Sequence, residues 1–129
     1  MQNTNTNESA EDYLERILML QDNGNPNVHA IDIANSMHFS KASVSIALKK
    51  LENEGYVIVG PKQVLNLTKE GYAIASKVYE RHKVLHELFV LLGVEDSVAC
   101  EDACKIEHDL SDSTFQALKK IYEEKKENL

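Results

Sequence analysis

The stretch "VHAIDIANSMHFSKASVSIALKKLENEGYVIVGPKQVLNLT", residues 28–68, holds the reading on which the fold turns. Its opening places apolar residues at helical spacing for about eight residues and then breaks near His38 and Phe39. Ser40 offers a hydroxyl to cap a second, longer helix in which Val44, Leu48 and Leu51 face a core, and Gly55 ends it. Two helices of these lengths across a short break have the spacing of a helix-turn-helix. Past Gly55 the apolar run "YVIVG", the turn-prone "PKQ" and the alternating "VLNLT" predict two short strands joined by a tight loop. A hairpin in that place makes a wing.

On the N-terminal side, residues 1–8 are polar, have nothing to bury and are expected to form a flexible tail. In "SAEDYLERILMLQDNGNP", residues 9–26, Tyr13, Leu14, Ile17, Leu18 and Met19 recur at helical spacing behind the candidate cap Ser9, and the Asn-Gly-Asn-Pro run stops the helix. On the C-terminal side, Thr68 caps one long helix whose stripe of Ile74, Ala75, Val78, Tyr79, His82, Leu85, His86, Phe89 and Leu92 runs up to Gly93. A short helix is predicted from Asp96 or Ser97. Ser111 caps a last one, striped by Phe115, Leu118, Ile121 and Tyr122. The chain therefore reads as mainly α with a small β-wing: a winged helix-turn-helix domain followed by an all-helical domain.

The 129 residues, 43% hydrophobic and 27% charged, suffice for one or two small modules with a core. No apolar run approaches the roughly 18 residues needed to cross a bilayer. The opening "MQNTNTNESA" lacks the basic and apolar segments of a secretion signal, so a cytoplasmic location and no membrane partner are expected. Cys100 and Cys104, four apart on one helix, project roughly parallel, which disfavours a disulfide between them, and reduced thiols are expected. The formal charge of −7 argues against broad nucleic-acid affinity, but it is unevenly spread. Residues 29–71 carry five lysines against four carboxylates and stand at +1, leaving −8 for the remainder. Any DNA contact is then local, and the acidic remainder attracts cations.

In a winged helix the second helix of the pair enters the major groove and the hairpin rests on the backbone. Ser40, Lys41, Ser43, Ser45 and Lys49 on that helix, with Lys62 at the wing tip, are the candidate DNA contacts, and small Ala42 permits close approach. The competing reading is a winged helix used only for protein contacts. Exposed serines and lysines in place of an apolar patch favour DNA.

"CEDACKIEHDL", residues 100–110, gathers two thiols, an imidazole and four carboxylates. On a helix advancing 100° per residue, Cys100, Cys104, Glu107 and His108 share one face. The first helix adds Asp12 and Glu15, and the long helix adds His82 and His86, one turn apart on its apolar side. Singly each has a plain explanation: a core cysteine, a carboxylate favoured by a helix N-terminus, a hydrogen-bonded histidine. Together they place charge on faces that otherwise bury apolar surface, a cost that a cation offsets. Carboxylate, imidazole and thiolate suit a divalent first-row ion better than Mg²⁺ or Ca²⁺. Two other classes compete. A redox sensor would use Cys100 and Cys104 on the same DNA-binding frame, and a metalloenzyme would need an open coordination position beside a carboxylate base. Nothing in the chain resembles a substrate cleft, so no enzyme is expected.

The order "EDYLERIL", helix-turn-helix and wing, "YERHKVLHELFVLLGV", then "CKIEHDLS" resembles the metal-dependent repressors of the diphtheria toxin repressor family, with its manganese transport regulators and iron-dependent repressors, from about Ala10 to Tyr122. The resemblance implies a homodimer that binds pseudo-palindromic double-stranded operators when loaded with Mn²⁺ or Fe²⁺ and represses metal-uptake genes. It further implies one site from Asp12, Cys104, Glu107 and His108, and a neighbouring one from Glu15, His82 and a shared Cys104 or Glu107. His86 and Cys100 fall where the iron branch has ligands of a second site. Cys104 is an iron-branch feature and Asp12 a manganese-branch one, so the chain mixes the two. The dimer contact is expected on Leu85, Phe89 and Leu92. The domains are accordingly drawn as a flexible tail at 1–8, a DNA-binding winged helix at 9–72, and a metal-binding and dimerisation domain at 73–129.

Overall fold

The computed structural model describes residues 8–128, so most of the expected tail lies outside the described residues. The chain divides into two compact units, one ending at Lys77 and the other beginning at Val78. Each is built around its own apolar cluster.

In the first unit, helix α1 (Glu8–Asp22) buries Tyr13, Leu14 and Ile17, three of the residues that the helical spacing selects. It starts at Glu8, so Ser9 lies inside the first turn instead of capping it. Glu8 and Glu11 sit in that turn, where carboxylates complement the helix dipole. Helix α2 (Ala30–Met37) ends on His38, which takes a left-handed conformation with φ 60°. Helix α3 (Lys41–Asn53) begins behind Ser40, whose hydroxyl accepts from the Ser43 amide at 3.1 Å. Val44, Leu48 and Leu51 are buried. They join Ile33 and Ala34 of α2 and the buried residues of α1 in one core.

Strands β1 (Val57–Val59) and β2 (Leu65–Leu67) pair antiparallel, Val57 opposite Leu67 and Val59 opposite Leu65. Val57 and Leu65 point into the core, and Ile58 opposite Asn66 faces solvent. The expected tight loop is a 3-10 turn (Pro61–Gln63) with Lys62 and Gln63 both at φ 61°. Proline opens the turn because its fixed φ suits that position.

Helix α4 (Lys69–Leu91) starts behind Thr68, whose hydroxyl accepts from the Gly71 amide at 3.0 Å and donates to the Gly55 carbonyl at 2.7 Å. This packs Gly71 onto the end of the wing. A Cβ there would clash with the Tyr56 carbonyl oxygen and lie 3.0 Å from its carbonyl carbon. Backbone cannot rotate away as a side chain can. Gly71→Ala is therefore expected to destabilise the protein by about 1–3 kcal/mol, the usual cost of overpacking, despite alanine's better helix propensity. Urea unfolding checks this, and an unchanged or higher midpoint would refute it.

The second unit holds the rest of α4 with helices α5 (Asp96–Ile106) and α6 (Asp112–Glu127). Gly93, at φ +100°, turns the chain after α4, and the Ser111 hydroxyl caps α6 by accepting from the Thr114 amide at 3.2 Å. Val84 and Leu88, one turn apart on α4, pack with Phe115 and Tyr122 of α6, and Leu91 and Leu118 border them. The Tyr122 hydroxyl donates to the Glu87 carboxylate, and this bond, then burial, holds its pKa above the ordinary tyrosine range. Two expectations change. Ile121 is 48% exposed, outside the core stripe of α6. Leu85 is fully buried, so of the residues proposed for the dimer contact it belongs to the fold. The reason is that α4 has apolar residues on more than one side, and a single stripe drawn along it mixes them.

Candidate metal centre and nucleic-acid interface

His82 is the centre of the donor cluster in the second unit. It is buried, and its two ring nitrogens point at different parts of the α5 segment. Nδ1 lies 2.9 Å from Oε1 of Glu107, and Nε2 lies 3.8 Å from the Cys100 sulfur. His86, one turn along α4, lies beside it with ring centroids 5.8 Å apart and the rings tilted by 57°, and its Nε2 lies 3.0 Å from Asp96 Oδ1 at the start of α5. One donor atom each from His82, His86 and Cys100 can be chosen so that all lie within 4.8 Å of one another.

The chemistry of that set fits a divalent first-row ion. Donors held ~2.0–2.3 Å from one ion stand roughly 3–4.5 Å apart, and the His82–Cys100 separation of 3.8 Å falls in that range. Two imidazoles and a thiol on rigid helices favour borderline ions over Mg²⁺ or Ca²⁺.

Glu107, 1% exposed, caps the C-terminal end of α5, and its Oε2 lies 3.5 Å from His108 Nε2. The helix does not continue through it. The Asp109 amide bonds to the Ile106 carbonyl at 3.1 Å, a tighter turn that closes the segment carrying Glu107 and His108. Cys104, expected on one face with Cys100, Glu107 and His108, is exposed and stands outside the group of His82, His86 and Cys100. In the first unit, Asp12 is half-buried and Glu15 buried on α1, three residues apart and so on neighbouring positions of one side. Burial, then the Asp12 charge, raises the Tyr13 pKa.

One residue of this region escaped the sequence reading. Arg81, 6% exposed, donates from Nη1 to the backbone carbonyls of Glu107 at 3.2 Å and Leu110 at 2.6 Å, and lies 5.2 Å over the Phe115 ring. It thereby ties down the turn that carries Glu107 and His108. A signal existed: only Arg16 and Arg81 among fourteen basic residues are arginines. Both reach across the fold, Arg16 donating to the Ser36 hydroxyl at 3.0 Å. A planar fork with several donors suits such sites better than an ammonium.

The candidate DNA contacts of the first unit are all exposed: Ser40, Lys41, Ser43, Ser45 and Lys49 at or along α3, and Lys62 in the wing turn. The Ser40 hydroxyl also donates to the Ser43 hydroxyl at 3.0 Å, so these two side chains are already ordered. His29, before α2, places Nε2 3.1 Å from the Lys62 carbonyl and ties the wing turn to the helix pair.

Two family models cover nearly the whole chain. The iron dependent repressor N-terminal DNA binding domain matches residues 5–65, and the iron dependent repressor metal binding and dimerisation domain matches 68–128. The chain belongs to the iron-dependent repressor family. An uncharacterized HTH-type transcriptional regulator of Methanocaldococcus jannaschii is 36% identical over 124 residues, 95% of this chain and 98% of that protein. The HTH-type transcriptional regulator MntR of Shouchella clausii is 35% identical over 104 residues, 80% of this chain and 71% of that one. The solved manganese regulator SloR matches with a TM-score of 0.73 at 32% identity over 87% of this chain, which spans about half of SloR, 52%. The first unit is thus the DNA-binding part of a metal-dependent transcriptional regulator, and the second carries its metal-binding and dimerisation domain. No helix among the described residues is long and apolar enough to cross a membrane.

Proposed function

We propose that this protein is a cytoplasmic homodimeric repressor of metal-uptake genes, activated by Mn²⁺ or Fe²⁺ and without catalytic activity. The observation that carries the reading is the setting of His82, a buried imidazole with a carboxylate on one nitrogen and a thiol beside the other, in a chain whose other unit is a winged helix. The proposed ligands are Asp12, Glu15, His82, Cys104, Glu107 and His108, with His86 and Cys100 added because their donors gather around His82. Cys104, one turn along α5 from Cys100, is exposed. A bound ion supplies positive charge among carboxylates that otherwise repel. The likeness to the manganese regulator SloR supports Mn²⁺, and the thiols support a softer ion such as Fe²⁺. Of the residues expected at the dimer contact, Leu92 is 59% exposed and Phe89 half-buried, so both have surface to offer a partner.

The test is operator binding at one fixed salt concentration, since phosphate contacts make affinity salt-dependent, with Mn²⁺, anaerobic Fe²⁺, Co²⁺, Zn²⁺ or a chelator. Activating ions are expected to tighten binding roughly 5- to 150-fold, the usual span of allosteric coupling. Equal affinity in every condition, chelator included, would defeat the metal switch.

A further inference from the structure

The side of α3 turned away from the core carries one residue that neither packing nor charge explains. Val44, Leu48 and Leu51 face inward, and Ile46 lies about 200° round the helix from Val44. At 72% exposure it is the most exposed large apolar side chain among the described residues. Its neighbours one turn away are Ala42, Ser43, Lys49 and Lys50, all exposed. A β-branched side chain at an exposed mid-helix position lowers helix propensity relative to alanine or lysine and adds nothing to the core. Neither folding nor solubility calls for it there.

We propose that Ile46 is a base-reading residue, packing against the 5-methyl group of a thymine in the major groove and giving the operator a T·A preference at one position of each half-site. This rests on the DNA-binding reading of the first unit. In a helix-turn-helix the second helix presents its solvent face to base edges. Lys41, Lys49 and Lys50 on that helix, with Lys62 in the wing, match the charge of the phosphates that flank the groove. Ile46 has no polar atom with which to sort donors from acceptors. The thymine methyl is the one apolar feature on any base edge of that groove, so it is the feature this side chain can select.

The experiment uses the full-length protein with Mn²⁺, and then Fe²⁺, to enrich duplexes from a randomised pool, followed by replacement of each dT in the enriched sequence by dU. In the parent, one dU per half-site is expected to weaken binding about fourfold, the worth of one buried methyl-sized group. Ile46→Ala is expected to lose that response at that position and Ile46→Val to keep most of it. The urea midpoint of both should match the parent, because the side chain is exposed. Indifference of the parent to every dU, or the same dU response in parent and Ile46→Ala, overturns the inference and leaves DNA binding standing. A change of oligomeric state in Ile46→Ala without change in the dU response assigns Ile46 to a protein contact and also overturns it. A parent that enriches no sequence overturns the regulator reading together with this one.

Discussion

Glu107→Ala combined with His108→Ala is expected to abolish the metal response, so that operator affinity with Mn²⁺ or Fe²⁺ falls to its chelator value, a loss of roughly 5- to 150-fold. Glu107 is the least exposed carboxylate among the described residues, at 1%, and holds His82 Nδ1 at 2.9 Å while its other oxygen lies 3.5 Å from His108. The double replacement removes a carboxylate and an imidazole and takes the Glu107 carboxylate from His82 Nδ1. The winged-helix core, built from Tyr13 through Ala75, contains neither residue, so metal-free DNA binding should persist. Glu107→Gln separates ligation from folding: its side-chain oxygen can still accept from His82, but the negative charge is gone, and metal affinity should drop with little change in the urea midpoint. A double variant that keeps the parent's full metal response would remove Glu107 and His108 from the switch.

The second large effect is expected at Arg81. Arg81→Met leaves the Glu107 and Leu110 carbonyls without their donor and takes a cation from the Phe115 ring. Hydrogen bonds from a charged group contribute about 1.5–3 kcal/mol each and a cation–π contact ~0.5–2 kcal/mol. The Asp112 pair, 3.7 Å away with that side chain 72% exposed, adds little. A loss of about 3.5 kcal/mol, the low end of that sum, is expected because both bonds share one nitrogen and methionine keeps part of the packing. Arg81→Lys should recover only part of it, since both bonds leave Nη1, and an ammonium one bond nearer the backbone carries no planar group to lie over the Phe115 ring while it reaches both carbonyls. Metal affinity should fall as well, because the two carbonyls bracket the turn that carries Glu107 and His108. Urea unfolding and metal titration measure the two effects, and an Arg81→Met protein with the parent's midpoint would refute the assignment.

Much of this was legible in local sequence. Ser40, Thr68 and Ser111 cap the helices for which their hydroxyls were read, and His38 and Gly55 end the two that precede the wing. Caps and turns are settled by groups within a few residues, which is why one strand of text suffices to find them. Asp12, Glu15, His82, Glu107 and His108 were selected because charge recurred on faces reserved for apolar residues, and the structure buries Glu15, His82 and Glu107. Arg81 passed unnoticed because the carbonyls it serves lie 26 and 29 residues away. Ile46 passed because a branched apolar residue in a helix reads as core until its exposure is known.

From its residue order alone the chain determined a helix pair, a wing, four further helices and a set of metal-competent side chains. Only the folded units decided which of those side chains meet. Cys100 and Cys104 differ by about 40° on a wheel, yet Cys100 is half-buried within 3.8 Å of His82 while Cys104 is exposed. Periodicity states which residues share a side of a helix; it is the neighbouring helix packed there, here α4 with His82, that chooses among them.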